Sequence, residues 1–255
     1  MSRRRSPVRF AVRAVELNWP WVLLLVGWQL WVTTNGYTAL VAPTPVDVAR
    51  DLGGHPNAYV SAVLVTAVTA LLGLVIGTVL ATLAAVAVWS SALVTAVVTP
   101  AALIMRSVPV VAAVPALIAV LGTGLPAVVA ITVVVTFFPT FGLVGSGLRS
   151  APVGARDLFS VLGAGRLRTL RLLLLPHALP QALVAIRLSA PGAILSAMLA
   201  EYLIGKSGLG YLFVNSISYA QYARAWGAGV VATVLAVVFF LAATRLERWG
   251  LSRAT

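Results

Sequence analysis

Residues 60–88 read VSAVLVTAVTALLGLVIGTVLATLAAVAV. No charged side chain interrupts them. Built as an α-helix, these 29 residues extend about 44 Å, at 1.5 Å per residue. The hydrocarbon core of a bilayer is only about 30 Å thick. Such a run cannot be hidden inside a soluble domain of this size. It predicts a membrane-spanning helix, and similar runs recur along the chain.

The composition agrees. The chain has 255 residues, 60% of them apolar and 9% charged, where an ordinary soluble domain carries about 25% charge. A disordered chain and a soluble globular domain are both excluded. There are 18 Lys+Arg against 6 Asp+Glu, a net +12. In a soluble protein that excess would suggest nucleic acid. Here the basic residues fall between apolar runs, so they report topology, and no nucleic-acid partner is expected. The absence of cysteine excludes disulfides, thiolate metal sites and a Cys nucleophile. Two histidines, His55 and His177, are too few for a histidine-rich metal site.

Six spans are expected, at roughly 17–34, 60–88, 107–121, 126–148, 182–204 and 226–244. The third is short and follows an apolar stretch, 91–105, that either extends it or lies at the interface, so five or seven crossings stay open. The basic start, MSRRRSPVRF, reads as the cytoplasmic end of an uncleaved first span, because no small-x-small site follows. With that end inside, 15 Arg fall in or beside cytoplasmic segments, and Arg50, Lys206 and Arg224 fall outside. The bias places both termini in the cytoplasm. Trp19, Trp21, Trp28 and Trp31 bracket the first span and Trp226 and Trp249 the last, as interface anchors.

Two segments do not span. NGYTALVAPTPVDVARDLGGHPNAY, 35–59, is placed outside, with a short helix over Val46–Leu52 started by Thr44-Pro45. RSAPVGARDLFSVLGAGRLRTLRLLLLPHALPQ, 149–181, is placed inside. It reads as two short helices, one through Asp157–Leu162 and one over Leu167–Leu175. Gly163-Ala164-Gly165 breaks them, and Pro176 ends the second. The sequence Gly205-Lys206-Ser207 mimics the end of a phosphate-binding loop, but Ala200 stands where the pattern needs Gly. No nucleotide site is expected in this chain, and no enzyme activity.

The 149–181 segment resembles the EAA loop of binding-protein-dependent ABC-importer permeases, E-A-A-x3-G-x9-I-x-L-P. Gly163, Leu175 and Pro176 fall in register, Asp157 stands for the Glu, Leu173 for the Ile, and Leu158-Phe159 replaces Ala-Ala. Other stretches are similar to the sulfonate, nitrate and taurine branch of these permeases: APTPVDVARDL (42–52), MRSVPVVAAVPALIAVLGTG (105–124), TFFPT (136–140), LPHALPQALVAIRLS (175–189), AEYLIGKSGLGYL (200–212) and LERW (246–249). That branch also holds permeases of pyrimidine vitamin precursors.

The resemblance implies an all-α polytopic fold with about six transmembrane helices and a cytoplasmic helix–Gly–helix coupling loop. Asp157, Leu158, Phe159, Gly163, Ala164, Gly165, Arg166, Leu173, Leu175 and Pro176 would dock on an ATPase subunit. It implies a second permease copy, two cytoplasmic ATPase subunits carrying the ATP and Mg, a periplasmic or lipid-anchored solute-binding protein, and residence in the bacterial inner membrane. The expected cargo is a small polar or anionic solute. A secondary transporter, a membrane enzyme and the energy-coupling subunit of a vitamin transporter remain the rival readings. Pathway or gate candidates are Arg106, Pro109, Thr136, Pro139, Ser189, Ser196, Glu201, Gly208 and Gly210. Arg106 either snorkels to head groups or attracts an anion. The prolines break helix inside the membrane. The hydroxyls of Thr132, Thr136, Thr140, Ser189 and Ser196 either face a pathway or bond their own helices. A carboxylate at Glu201 is costly in a span; it is either an interfacial carboxylate, paired with Lys206 or solvated, or part of the outer gate or pathway.

Overall fold

The computed structural model describes the backbone of residues 7–38, 40–107 and 109–253, and their side chains apart from 7–18, 103, 105–107 and 110. Among the described residues there are helices and no strands. In chain order they are α1 (Pro7–Thr34), α2 (Pro45–Gly54), α3 (Pro56–Ser90), α4 (Ala92–Ser107), α5 (Val110–Leu121), α6 (Leu125–Arg149), α7 (Val153–Val161), α8 (Arg166–Thr169), α9 (Leu175–Ile204), α10 (Leu209–Ser218) and α11 (Tyr222–Leu251). Four helical runs among the described residues are long and apolar enough to cross a bilayer: Pro56–Ser90, Leu125–Arg149, Arg166–Ile204 and Tyr222–Leu251.

The span expected at 107–121 is instead part of a broken pair. Pro109 is extended (φ −58°, ψ 125°) and precedes α5. At 12 residues, α5 rises about 18 Å, well short of a bilayer core. The 16-residue α4 rises about 24 Å.

The short helix expected at Thr44-Pro45 is present as α2. Thr44 Oγ1 accepts from the Asp47 backbone N–H at 3.1 Å, and the Thr44 N–H donates to Asp47 Oδ2 at 3.1 Å. This is a reciprocal capping box, worth about 1 kcal/mol. The Thr44 side-chain and backbone hydrogen bonds hold the Asp47 carboxyl below its usual range.

Packing follows the membrane rule that small residues let helix backbones approach. α6 lies between α3 and α9. A side chain at Gly73 or Gly77 of α3 would collide with Thr132 or Thr136 of α6. Thr136 uses the space so gained and donates to the Gly73 carbonyl at 3.1 Å. Between α3, α9 and α11 the core is largely alanine: Ala70, Ala190, Ala193, Ala197, Ala236 and Ala243, with Leu74 and Ile194. Large apolar side chains such as Leu71, Val75, Val79, Leu195 and Val237 point outward. The exterior is oilier than the interior, which suits lipid as solvent.

The 149–181 segment departs from expectation at its end. α8 does not stop at Pro176. It continues through a π-helical turn, Leu170–Leu174, into α9. The Leu175 N–H reaches back to the Leu170 carbonyl. Proline removes one helical donor and crowds the carbonyl four residues earlier. The widened turn immediately before Pro176 relieves that crowding, so α8 and α9 form one 39-residue run, Arg166–Ile204.

Candidate functional site

Two constellations sit at opposite ends of α9, about 39 Å apart along the 27 residues from Leu175 to Glu201.

At the far end, Glu201 is 1% exposed. It does not meet Lys206. Its Oε2 accepts from Thr66 Oγ1 of α3 at 2.7 Å and from the Gly210 N–H at 3.1 Å. Thr66 Oγ1 in turn accepts from the Leu209 N–H at 2.8 Å. The first N–H groups of a helix have no partner within it. Gly208 caps α10 with no side chain of its own, so residues from two other helices satisfy that terminus. A carboxyl there also faces the positive end of the helix dipole. The glycines make the approach possible. A Cβ on Gly208 (φ +97°) would strike the Glu201 carboxyl, and one on Gly210 would strike the Met198 carbonyl. Glu201 is therefore a clamp joining α3, α9 and α10. Thr66 carries no signal in the sequence, because a lone hydroxyl in an apolar run says nothing of a distant partner.

Beside this clamp lies a second cluster that the sequence alone does not assemble. Asp51 of α2 accepts from the Tyr59 hydroxyl at 2.6 Å and from Arg224 Nε at 3.3 Å and Nη2 at 3.2 Å. His55 Nδ1 lies 3.2 Å from Asp51 Oδ1. Gly227 admits the Tyr59 ring, which a Cβ there would strike. Burial raises the Asp51 carboxyl, but the Tyr59 and Arg224 hydrogen bonds and the charges of Arg224 and His55 outweigh it, leaving it below its usual range. A depressed folded-state value means stability that is full above the unfolded value, near 3.9, and lost as pH falls through the folded one. Asp51→Asn should cost about 1–2 kcal/mol at pH 7. The gap between the melting curves of the parent and the variant in detergent should close progressively below about pH 4. A gap that stays constant down to about pH 2 would remove the carboxylate from the role.

At the near end, α7 finishes in a Schellman turn. The Gly163 N–H donates to the Ser160 carbonyl at 3.0 Å and the Ala164 N–H to the Phe159 carbonyl at 2.9 Å. This closure needs a left-handed residue, and Gly163 has φ +66°. Phe159 and Leu173 turn inward onto Val144, Leu148 and Ala178. Asp157, Gly163, Gly165, Arg166 and Pro176 are exposed, Ala164 is half-buried, and Leu158, Val161, Leu162 and Leu167 present an uncovered apolar face, with Leu175 at its margin.

The remaining candidates scatter. Thr136 is fully buried between α3 and α6. Ser196 donates to the Ala193 carbonyl at 3.1 Å. The Ser189 hydroxyl is buried without a partner among the described residues. Pro139 is exposed on α6, and exposed Pro109 precedes α5. The side chain of Arg106 lies outside the described residues. A half-buried ion pair, Arg187 with Glu247 at 3.0 Å, ties α9 to α11; in the sequence Arg187 stands out as a basic residue near a span end and as the arginine of the LPHALPQALVAIRLS stretch.

The family described as binding-protein-dependent transport system inner membrane component matches residues 73–252, well over half of the chain. The chain belongs to that family. This permease is 26% identical over 199 residues to a probable ABC transporter permease protein of Haemophilus influenzae, covering 78% of this chain and 81% of that one. It is 28% identical over 116 residues to the formylaminopyrimidine transport permease protein ThiX of Halalkalibacterium halodurans, covering 46% of each. Its fold matches a chain of the inward-facing MetNI methionine ABC transporter with a TM-score of 0.65 at 21% identity, over 75% of this permease and 95% of that chain. It also matches a chain of a bacterial ABC transporter involved in the import of the acidic polysaccharide alginate, with a TM-score of 0.60 at 15% identity, over 95% and 99%. The all-α membrane fold expected from the sequence is that of ABC-importer membrane domains.

Proposed function

We propose that this permease passes a small polar or anionic solute through a pathway formed with a second copy of itself, driven by two ATPase subunits bound at the α7–α8 end. ATP and Mg belong to those subunits. A solute-binding protein docks at the α2 and α10 end. The observation that carries this reading is the α7–α8 projection: a turn fixed by Gly163, with Phe159 holding it to the bundle and Leu158, Val161 and Leu162 left bare for a partner. None of the described residues covers that face, and a water-exposed apolar patch on a membrane protein's projecting loop marks a protein contact. The basic asymmetry supports a cytoplasmic position for this end, and the family supports residence in a bacterial inner membrane.

The cargo class is sulfonate-, nitrate- or taurine-like, or a pyrimidine precursor; the ThiX relative supports the second. Co-elution of the permease with its ATPase in detergent tests the assignment. A permease that transports alone sinks it. Topology is tested separately with single introduced cysteines, since the chain has none. Asn57→Cys should react with an impermeant thiol reagent in intact spheroplasts, and Gly165→Cys only after lysis. The reverse pattern would invert the orientation. Calorimetry of the partner binding protein against taurine, nitrate and formylaminopyrimidine separates the cargo classes.

A further inference from the structure

A cavity of about 320 Å³ lies between α3, α4 and α6, at the α7–α8 end of the bundle. Arg149, the last residue of α6, lies along its own helix toward Gly145. Its guanidinium comes 3.7 Å from where a Cβ on Gly145 would stand. Arg149 lines the cavity and has no carboxylate or carbonyl partner among the described residues. No described acidic residue lines the cavity either. Thr99 lines it with a hydroxyl that makes no hydrogen bond within the described chain. Trp89 stands at the wall, and the next residue, Ser90, receives Arg166 Nη1 on its carbonyl at 3.4 Å. A second guanidinium thus sits close by. Elsewhere Val88, Phe141 and Leu148 make the wall apolar, and the Thr95 hydroxyl that also lines it is spent on the Val88 and Ser91 carbonyls.

An unpaired guanidinium and a free hydroxyl at the rim of an oily cavity form an amphipathic receptor. Guanidinium pairs well with phosphate oxygens. Basic pockets between transmembrane helices are where anionic head groups settle. A soluble anion would be served by the arginine alone; the apolar wall of Val88, Phe141 and Leu148 calls for a hydrocarbon tail. We infer that the α3–α4–α6 cavity binds an anionic phospholipid, its phosphate held by Arg149 and Thr99 and one acyl chain lying along Phe141 and Gly142. The bound lipid fills a gap between α4 and the bundle that the protein leaves open. This inference does not depend on the coupling role of the α7–α8 loop.

Native mass spectrometry of the full chain in detergent tests it, with dioleoyl phosphatidylglycerol and dioleoyl phosphatidylethanolamine as probes. The parent should retain the glycerol lipid preferentially. Arg149→Gln should reduce that retention about tenfold, the loss of one charge-assisted phosphate contact, while Arg168→Gln, an exposed arginine outside the cavity, should leave it unchanged. A Cβ added at Gly142 would meet only open space, so Gly142→Leu should fill the cavity and exclude the lipid with Arg149 intact. That second variant protects the test against misfolding of the first. Three results would overturn the proposal: retention by Arg149→Gln or Gly142→Leu equal to the parent, equal loss in Arg168→Gln, or displacement of the lipid by millimolar inorganic phosphate, which would make the site one for soluble anions.

Discussion

Gly208→Ala should disable transport by unseating α10, and it should do so through Glu201. Gly208 has φ +97° and ψ 177°, a region open essentially to glycine alone, where another residue costs about 1–3 kcal/mol. The added methyl also occupies the position of the Glu201 carboxyl. The carboxyl must then leave, and its bonds from Thr66 and the Gly210 N–H go with it. Each such hydrogen bond contributes about 0.5–1.5 kcal/mol net, and each buried donor left without a partner costs about 1–3 kcal/mol. The total, about 3 kcal/mol or more, exceeds what a short helix contributes by itself. The expected results are a lowered melting point in detergent, protease sensitivity at 205–208, and loss of ATP-driven uptake in vesicles. The attribution to Glu201 is checked by a double-mutant cycle. Gly208→Ala combined with Glu201→Ala should cost clearly less than the two single changes added together, because the small side chain vacates the space. Strict additivity would place the strain in the backbone alone. Glu201→Gln keeps the shape and should mainly alter how the loaded binding protein stimulates ATP hydrolysis. If it hydrolyses and transports like the parent, the clamp is not part of the gate.

Gly163→Leu should abolish coupled transport while the chain still folds. Nothing lies within 4 Å of a Cβ at this position, so the side chain meets no internal obstacle. Only the backbone objects, since φ is +66°, at a cost of about 1–2 kcal/mol. That cost falls on a surface turn rather than on the bundle. The bare face of Leu158, Val161 and Leu162 is displaced, and the partner is lost. Melting should shift little, co-elution with the ATPase should fail, and uptake should drop at least about tenfold, the equivalent of 1.4 kcal/mol of lost docking. Gly163→Asn, which tolerates the left-handed region better, should recover part of both. Loss of folding in both variants, or normal coupled transport in the leucine variant, would defeat the docking assignment.

The sequence exposes the features that depend on local chemistry. A helix start needs only Thr44 followed by Pro45, and α2 begins where that pair predicts it, with Asp47 completing a capping box. Long uncharged runs foretell α3, α6 and α11. Gly163 stands in a turn because the closing hydrogen bonds involve its immediate neighbours. Readings that depend on distant groups do less well. Glu201 looks like a partner for Lys206 five residues on, yet its ligand is Thr66, 135 positions away. Asp51 gives no sign of Arg224. Pro176 reads as a helix stop, since proline breaks ideal helix geometry. One widened turn admits it, and that turn also explains why the 170s resist a simple periodic reading. A π turn adds a residue to one helical repeat and rotates everything before it by about 100°. Leu173 and Leu174 are buried, whereas Leu172 and Leu175 on either side are exposed.

That uninterrupted Arg166–Ile204 run also has a mechanical meaning. As a rod of 39 residues it is roughly 58 Å long. A tilt of about 10° about its midpoint carries each tip through roughly 5 Å, in opposite directions. One tip begins at Arg166, beside the bare apolar face, and the other ends three residues beyond Glu201. A displacement of about 5 Å is more than a hydrogen bond can stretch. A lever of this length cannot swing at its lower end and keep both the Thr66 and the Gly210 contacts unless α3 and α10 swing with it. Unless the run bends at its π turn or at Pro191, the three helices travel as one block or the clamp opens.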